Sequence, residues 1–327
     1  MDTGTHIVMG IGLGGLATLD PVVSHDPALH QMIMAGTIIG SNAPDFDTIL
    51  KLRSNAVYLR HHRGISHSIP AILLWPILIT LTLYTLAPTM NVLHLWLWTF
   101  LAVVLHVLVD LFNAYGTQAL RPFSHKWIAF GIINTFDPFI FGLHLFGIIL
   151  WLIGYEPAPV FISIYMFLIV YYVWRSYVHH LLVKQVKRKI NDVEEVIVSP
   201  TLNWNKWHIA VKTKDKFYVA HAKKLQISIL DVYSRRPVPT TSVIEAAKKD
   251  PNLSAFLSFS PVYRWSIKHT DEGHEVRFID LRYRSKGHYP FVAVVKLDHD
   301  LTITQSYTGW VYNAERLKKK LKTANGY

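Results

Sequence analysis

The chain contains no cysteine. That excludes disulfide scaffolds, thiolate zinc sites and cysteine nucleophiles, and it leaves the redox state of the compartment open. Charge is scarce over residues 1–183, where 7 Lys/Arg stand against 8 Asp/Glu, a net of −1. Familiar catalytic signatures are missing as well. There is no His-Glu-x-x-His, no Gly-x-Ser-x-Gly and no phosphate-cradling glycine loop ending in Lys-Ser/Thr. The start lacks the basic n-region and cleavage site of a standard signal peptide. Internal repeats and low-complexity linkers are absent too.

What is present is apolar. Of 327 residues 51% are hydrophobic, the mean hydropathy is positive, and Trp and Tyr are plentiful, as suits rings at a bilayer interface. The length allows two domains. Residues 184–327 carry 26 Lys/Arg against 14 Asp/Glu, a net of +12, so an almost uncharged half precedes a basic one. The boundary falls in the Lys184–Lys189 run. The expectation is an integral membrane domain over 1–183, mainly α, followed by a soluble α+β domain over 190–327 with an antiparallel sheet.

Two short apolar runs, 7–19 and 29–43, fall below the roughly 20 residues a span needs. They read as a tilted or re-entrant helical hairpin, with a pair of core helices as the plainer alternative. Gly10 and Gly14 are spaced for close helix packing. Four stronger spans follow at 69–87, 92–112, 139–155 and 160–178. Ser66 or Ser68 can cap the first of them, with Pro70 in its first turn. The links 88–91 and 156–159 contain no Lys or Arg, whereas Lys51, Arg53, Arg60 and Arg63 precede the first strong span, Arg121 and Lys126 lie between the second and third, and Arg175 closes the fourth. The positive-inside rule therefore puts the 44–68 loop, the 113–138 loop and the C-terminal half in the cytoplasm of a multi-pass cell-membrane protein. From Asn191 onward short β-branched and aromatic runs predict strands, with helices over 241–249, 253–259 and 314–323.

The polar residues of the apolar half are the candidates for chemistry. His106 and Asp110 are four apart and share a helix face at the cytoplasmic end of the second strong span. Asp45, Asp47, His61, His62 and His67 lie on the same side, and the hairpin returns His6 to it. Ionisable residues at a membrane edge default to a functional reading. Imidazoles mixed with carboxylates suit zinc, manganese or ferrous iron, and the donors suffice for one or two ions. Such a centre polarises an ester or phosphoryl oxygen and activates water. Arg63 can fork onto an anionic substrate group as a clamp. Plainer readings stand beside these: His106–Asp110 as a structural pair, Asp45-x-Asp47 as a helix cap, and residues 61–67 as a basic patch on anionic lipid. His94 and His144 read as hydrogen-bonded core, Asp137-Pro138 as a helix start, and His125 as a spare ligand. Ser66 beside His67 has only adjacency in favour of a nucleophilic role. The histidines at 208, 221, 269, 274, 288 and 299 read as scattered surface or core residues. The basic half could attract nucleic acid, but a tethered domain has a nearer anionic partner in lipid headgroups.

Asp2-Thr3-x-Thr5-His6, Pro44-Asp45-x-Asp47, His62-Arg63-Gly64-x-Ser66-His67-Ser68 and His106-x-x-x-Asp110 resemble the motifs of the YdjM-like membrane-bound metal-dependent hydrolases. These are also described as LexA-regulated inner-membrane hydrolases, and the likeness is closer to the Bacillus-type YfhP branch, which has a C-terminal extension. The resemblance covers about residues 1–180. It implies a multi-spanning bacterial membrane protein with a metal site formed by His6, Asp45, Asp47, His62, His67, His106 and Asp110. Ser66 stands where the family commonly has threonine, which keeps the hydroxyl, and His61 falls outside the motif. The resulting expectation is a metal-dependent hydrolase acting at headgroup level on a lipid-linked ester or phosphoester. Its rival is a non-enzymatic membrane regulator or scaffold with a structural metal site and a partner-binding cytoplasmic domain.

Overall fold

Asp-Pro pairs and small polar caps start most of the helices in the apolar half. The structure, a computed structural model, describes residues 1–88, 91–285 and 287–323. Helix α1 (Thr3–Leu16) is capped by Asp2, whose carboxylate accepts from the Thr5 N–H. Helices α2 (Pro21–Ser24) and α3 (Pro27–Gly40) each begin with proline behind an aspartate cap, Asp20 and Asp26. A 3-10 segment, Ala43–Leu52, leads to α4 (Asn55–His61). Ser68, not Ser66, caps α5 (Ile69–Leu86), and Asn91 caps α6 (Val92–Leu111). Asp137 caps α7 (Pro138–Leu152), and α8 (Pro157–Lys189) is the longest helix.

Among the described residues three helices are long and apolar enough to cross a membrane: α5 with 18 residues, α6 with 20 and α8 with 33. Of the four expected strong spans, the one at 139–155 falls on the shorter apolar helix α7. Its 15 residues reach about 22 Å at 1.5 Å per residue, short of the ~30 Å hydrocarbon core. It stops because Gly154 turns the chain with a φ of 100° and Pro157 opens the next helix. By contrast α8 overruns its expected end at residue 178 and continues through Lys184–Lys189. Lys, Gln and Arg are good helix formers, so a change of polarity does not end a helix.

Two compact units result. The first comprises Met1–Thr48, His62–His180 and Pro200–Trp204. In it the small residues hold α3 between two neighbours. A side chain at Gly10 would put its Cβ 2.8 Å from Ile38 Cα, and one at Gly14 would meet Met34. On the other side of α3, Gly36 and Gly40 lie against Thr99 of α6. Apolar clusters around Leu29, Ile33 and Leu95, and around Met9, Ile140 and Phe161, complete the packing.

The second unit comprises Ile49–His61, Leu181–Ser199 and the chain from Asn205 onward. Its strands form two sheets where one was expected. Strands β1 (Val193–Pro200), β2 (Lys206–Thr213), β3 (Lys216–Lys223) and β4 (Gln226–Ser234) make one antiparallel meander. Helices α9 (Ser242–Lys248) and α10 (Pro251–Phe259) intervene. Then β5 (Tyr263–Thr270), β6 (Gly273–Asp280), β7 (Phe291–Leu297) and β8 (Ile303–Trp310) make the second. Ile244, Leu253 and Phe256 of the two helices bury one face of this sheet through Val276, Phe278 and Ala293. Leu59 of α4 joins that core, and Asn55 Nδ2 donates to the Thr308 carbonyl. Helix α11 (Ala314–Thr323) covers Val292 and Val294 with Leu317 and Leu321. β6 ends at Asp280, where the Asp280 carboxylate accepts from the Arg282 N–H and guanidinium.

Candidate metal centre

His106 and Asp110 project from the last turns of α6 and are fully buried. The Nδ1 of His106 lies 2.6 Å from the Ser41 carbonyl at the end of α3. A carbonyl only accepts, so this nitrogen carries the proton and Nε2 carries the lone pair. His67, from the 3-10 turn Ile65–His67, is fixed in the same way. Ser66 Oγ donates to Asp47 Oδ2 and lies 3.0 Å from His67 Nδ1, so it accepts from that nitrogen. Both Nε2 lone pairs then face one point, 3.2 Å apart.

Carboxylates surround that point. Asp110 Oδ2 is 3.4 Å from His67 Nε2 and 3.7 Å from His106 Nε2. Asp45 Oδ1 is 3.6 Å and 3.8 Å from the same two atoms, and it has no hydrogen-bond partner. His6, near the start of α1, stacks on His106 with ring centroids 3.8 Å apart, and its Nε2 is 3.6 Å from Asp110 Oδ1. The Met1 amino group lies against Asp110 Oδ1 and is 2.9 Å from His6 Nε2. One ligand atom from each of His6, Asp45, His106 and Asp110 falls within a 4.8 Å sphere of mutual distances.

These acceptors fit a divalent cation. Two imidazole lone pairs on one tetrahedral zinc, at 2.0–2.1 Å each, are about 3.3 Å apart. A buried carboxylate oxygen without a donor also calls for a positive partner. Burial pushes His67 well below the ordinary histidine value, and His106 and Arg63 add to this, so the imidazole is held neutral as a ligand must be. Burial works against the ionised form of Asp45, but His106 and Arg63 outweigh it and hold the carboxyl below its usual value.

Asp47 organises the surrounding turn. Its Oδ1 pairs with His62 Nδ1 at 2.7 Å, and its Oδ2 accepts from the Arg63 N–H and Ser66 Oγ. Asp45, Asp47 and His62 form a second group able to hold an ion, more accessible than the first. Arg63 is buried with a φ of 60°, a left-handed conformation that a non-glycine residue takes at some strain. Its Nη2 is 3.1 Å from Asp110 Oδ2 and donates to the Met1 carbonyl.

The remaining candidates are elsewhere. His61 is exposed in the second unit and His125 is exposed in its loop. His94 pairs with Asp20, and His144 Nδ1 donates to the Ile140 carbonyl in the apolar packing. Asp137 is a helix cap that also accepts from Tyr171. The sequence reading missed the Ser41 carbonyl, which no side-chain pattern reports. It also missed Asn113, which donates to Asp110 Oδ1. Its position three residues beyond Asp110 was the available signal.

The profile of the family described as YdjM inner membrane protein matches residues 1–182, more than half of the chain. The chain belongs to the YdjM family. It is thus a membrane protein, as the family's description and the three apolar helices agree. Residues 191–233 match the YfhP middle domain and 242–321 the YfhP C-terminal alpha/beta plait domain. A protein of Bacillus subtilis (strain 168) named "Uncharacterized protein YfhP" is 57% identical over 323 residues, which cover 98% of this chain and 99% of the relative. No solved structure matches. The motifs that carried the resemblance in this YdjM-family chain supply the side chains gathered around His67 and His106.

Proposed function

We propose that this chain is a multi-pass hydrolase of the cell membrane that uses one or two divalent ions, with zinc, manganese and iron as the chemically matched choices. The observation that carries the reading is the pair of His67 and His106 lone pairs, facing each other 3.2 Å apart beside two carboxylates. The ligands are His6, Asp45, His67, His106 and Asp110, with Asp47 and His62 joining Asp45 at the outer position. A bound ion supplies Lewis-acid polarisation and water activation. Ser41 and Ser66 hold the two imidazoles in the ligating tautomer. Arg63, beside Asp110, receives the anionic part of the substrate. Solvent reaches the site at Asp45, Asp47 and His62, so substrate enters there. Phe46 and Ile65, both over half exposed, flank these residues in the chain and favour a lipid-linked ester or phosphoester. The charge bias of the loops favours a cytoplasmic site, a membrane domain over 1–183 and a cytoplasmic basic domain over 190–327.

Detergent-purified protein then carries stoichiometric transition metal and turns over members of a phosphoester and phospholipid panel. His67→Ala and Asp110→Ala lose both properties. Undiminished turnover in both variants sinks the assignment. A reporter after Lys189 labelled from outside the cell overturns the orientation.

One observation favours a second reading. His6, His67, His106 and Asp110 are all nearly inaccessible, as in structural metal sites with every position filled by protein. The chain is then a scaffold or regulator with a metal staple. Metal that is retained and stabilising, without turnover on any substrate of the panel, selects this alternative.

A further inference from the structure

His269, His274 and the more distant His299 come together at one end of the second sheet. His269 and His274 are directly opposed on β5 and β6. Their Nδ1 atoms are 2.8 Å apart and their ring planes stand at 86°. The ring of His299, from the turn between β7 and β8, lies 6.3 Å from that of His274. A close backbone approach makes this meeting possible. Gly273, at a φ of 128°, leaves no room for a Cβ against the Leu297 carbonyl, which brings the β5–β6 turn onto the end of β7. The β7–β8 turn is itself fixed, since Asp298 exchanges backbone hydrogen bonds with Thr302 and Leu301 and its carboxylate accepts from the Thr302 N–H.

Tautomers decide what the three rings can do. His299 Nε2 is 3.0 Å from the Asp271 carbonyl and must donate to it, which leaves the lone pair on Nδ1. A backbone carbonyl holding one ring nitrogen while the other stays available is the usual support of a metal-ligating histidine. Between His269 and His274, the two facing Nδ1 atoms share either one proton or one cation. Taking the cation requires only that the donating ring move its proton to Nε2. The surroundings favour positive charge, because the two turns contribute Asp271, Glu272, Asp298 and Asp300 in a unit that is otherwise basic. Lys268 and Lys296 sit next to these residues in the chain, but side chains alternate along a strand, so Lys268 points to the opposite face from His269.

We propose that His269, His274 and His299 form a second, solvent-facing transition-metal site that takes an imidazole-preferring ion such as Zn2+ and clamps the β5–β6 turn to the β7–β8 turn. Three imidazoles match zinc, nickel or copper rather than magnesium or calcium. The site is independent of the buried centre and of any hydrolytic activity.

Zinc titration of full-length detergent-solubilised protein tests this, with three variants as comparison. The His67→Gln/Asp110→Asn protein retains one equivalent of Zn2+. Adding His269→Gln, His274→Gln and His299→Gln removes that equivalent, and His274→Gln alone weakens it about 10–100-fold. Unchanged stoichiometry and affinity in the combined variant overturns the proposal. Wild-type protein gives a readout that does not depend on the folding of variants. Zn2+ protects His269, His274 and His299 from diethylpyrocarbonate, read by mass spectrometry. Equal modification of the three with and without Zn2+ also overturns it.

Discussion

The Nε2 atoms of His67 and His106 lie 3.2 Å apart, and each ring has its other nitrogen committed to an acceptor. Two facing lone pairs in a buried place repel unless a cation lies between them. The supports of these rings are therefore as open to test as the rings themselves.

Ser66 is the support of His67. Ser66→Ala removes the acceptor for Nδ1 and frees the ring to take the wrong tautomer. Metal affinity falls about 10–100-fold, and Ser66→Thr, which keeps the hydroxyl, restores it. Competition with a chelator of known affinity measures both, and equal affinity in Ser66→Ala refutes the relay through Asp47.

Helix packing gives a second contrast. At Gly10 a new side chain meets the backbone of Ile38, which cannot rotate away. Gly10→Val should destabilise by about 1–3 kcal/mol. Gly142 has nothing within 4 Å of its Cβ position, so Gly142→Ala should be neutral or mildly stabilising. Thermal unfolding in detergent separates the two, with a lowered midpoint for Gly10→Val only.

His208 gives the second unit one source of pH-dependent stability. Burial holds this imidazole below its ordinary value of 6.5, with His221 and Arg284 adding to the effect. The folded state then binds fewer protons than the unfolded state. Its contribution is fully present above the unfolded value and is lost as pH falls below about 6.5 toward the folded value. His221 is the direct partner of His208 across β2 and β3, so a charge gained by His208 faces a second basic ring. Hydrogen exchange of the β2 and β3 amides, corrected for intrinsic rates, should show protection falling from about pH 7 to about pH 5.5. The fall should be smaller in His208→Gln.

Asp280 is the most heavily committed carboxylate of the second unit. It is fully buried, forked by Arg282 and bonded by Ser260 Oγ. Asp280→Ala leaves a buried guanidinium without its counter-charge, at about 3–5 kcal/mol. Denaturant unfolding of the full chain checks the size, and a loss below about 1 kcal/mol would mean that the pair behaves as an exposed one.

Much of the buried site was legible because its members are costly where they stand. A histidine and an aspartate four apart in an apolar helix, with Asp45, His67 and His6 at the ends of other apolar runs, point to one another by position alone. The proton assignments were not legible, since they rest on the Ser41 carbonyl and on a chain of bonds through Asp47. The length of α7 was hidden by Tyr155, which prolongs the apolar pattern beyond the turn at Gly154. The division into two sheets was hidden because turn residues join neighbouring strands but do not show where one sheet stops and the next begins. The meeting of His269, His274 and His299 follows from a backbone contact at Gly273 that spacing does not reveal.

Helix α4 makes the C-terminal half hard to treat as a detachable cassette. The chain enters the second unit once over Ile49–His61, long before it returns there at Leu181–Ser199 and again from Asn205 onward. A protein cut at residue 190 would keep α4 but lose the core that shelters Leu59 and the strand that Asn55 bonds to. Gene fusions, truncations and domain exchanges that break the coding sequence at the apparent polarity boundary would therefore strand a sticky helix in the middle of the candidate metal motif.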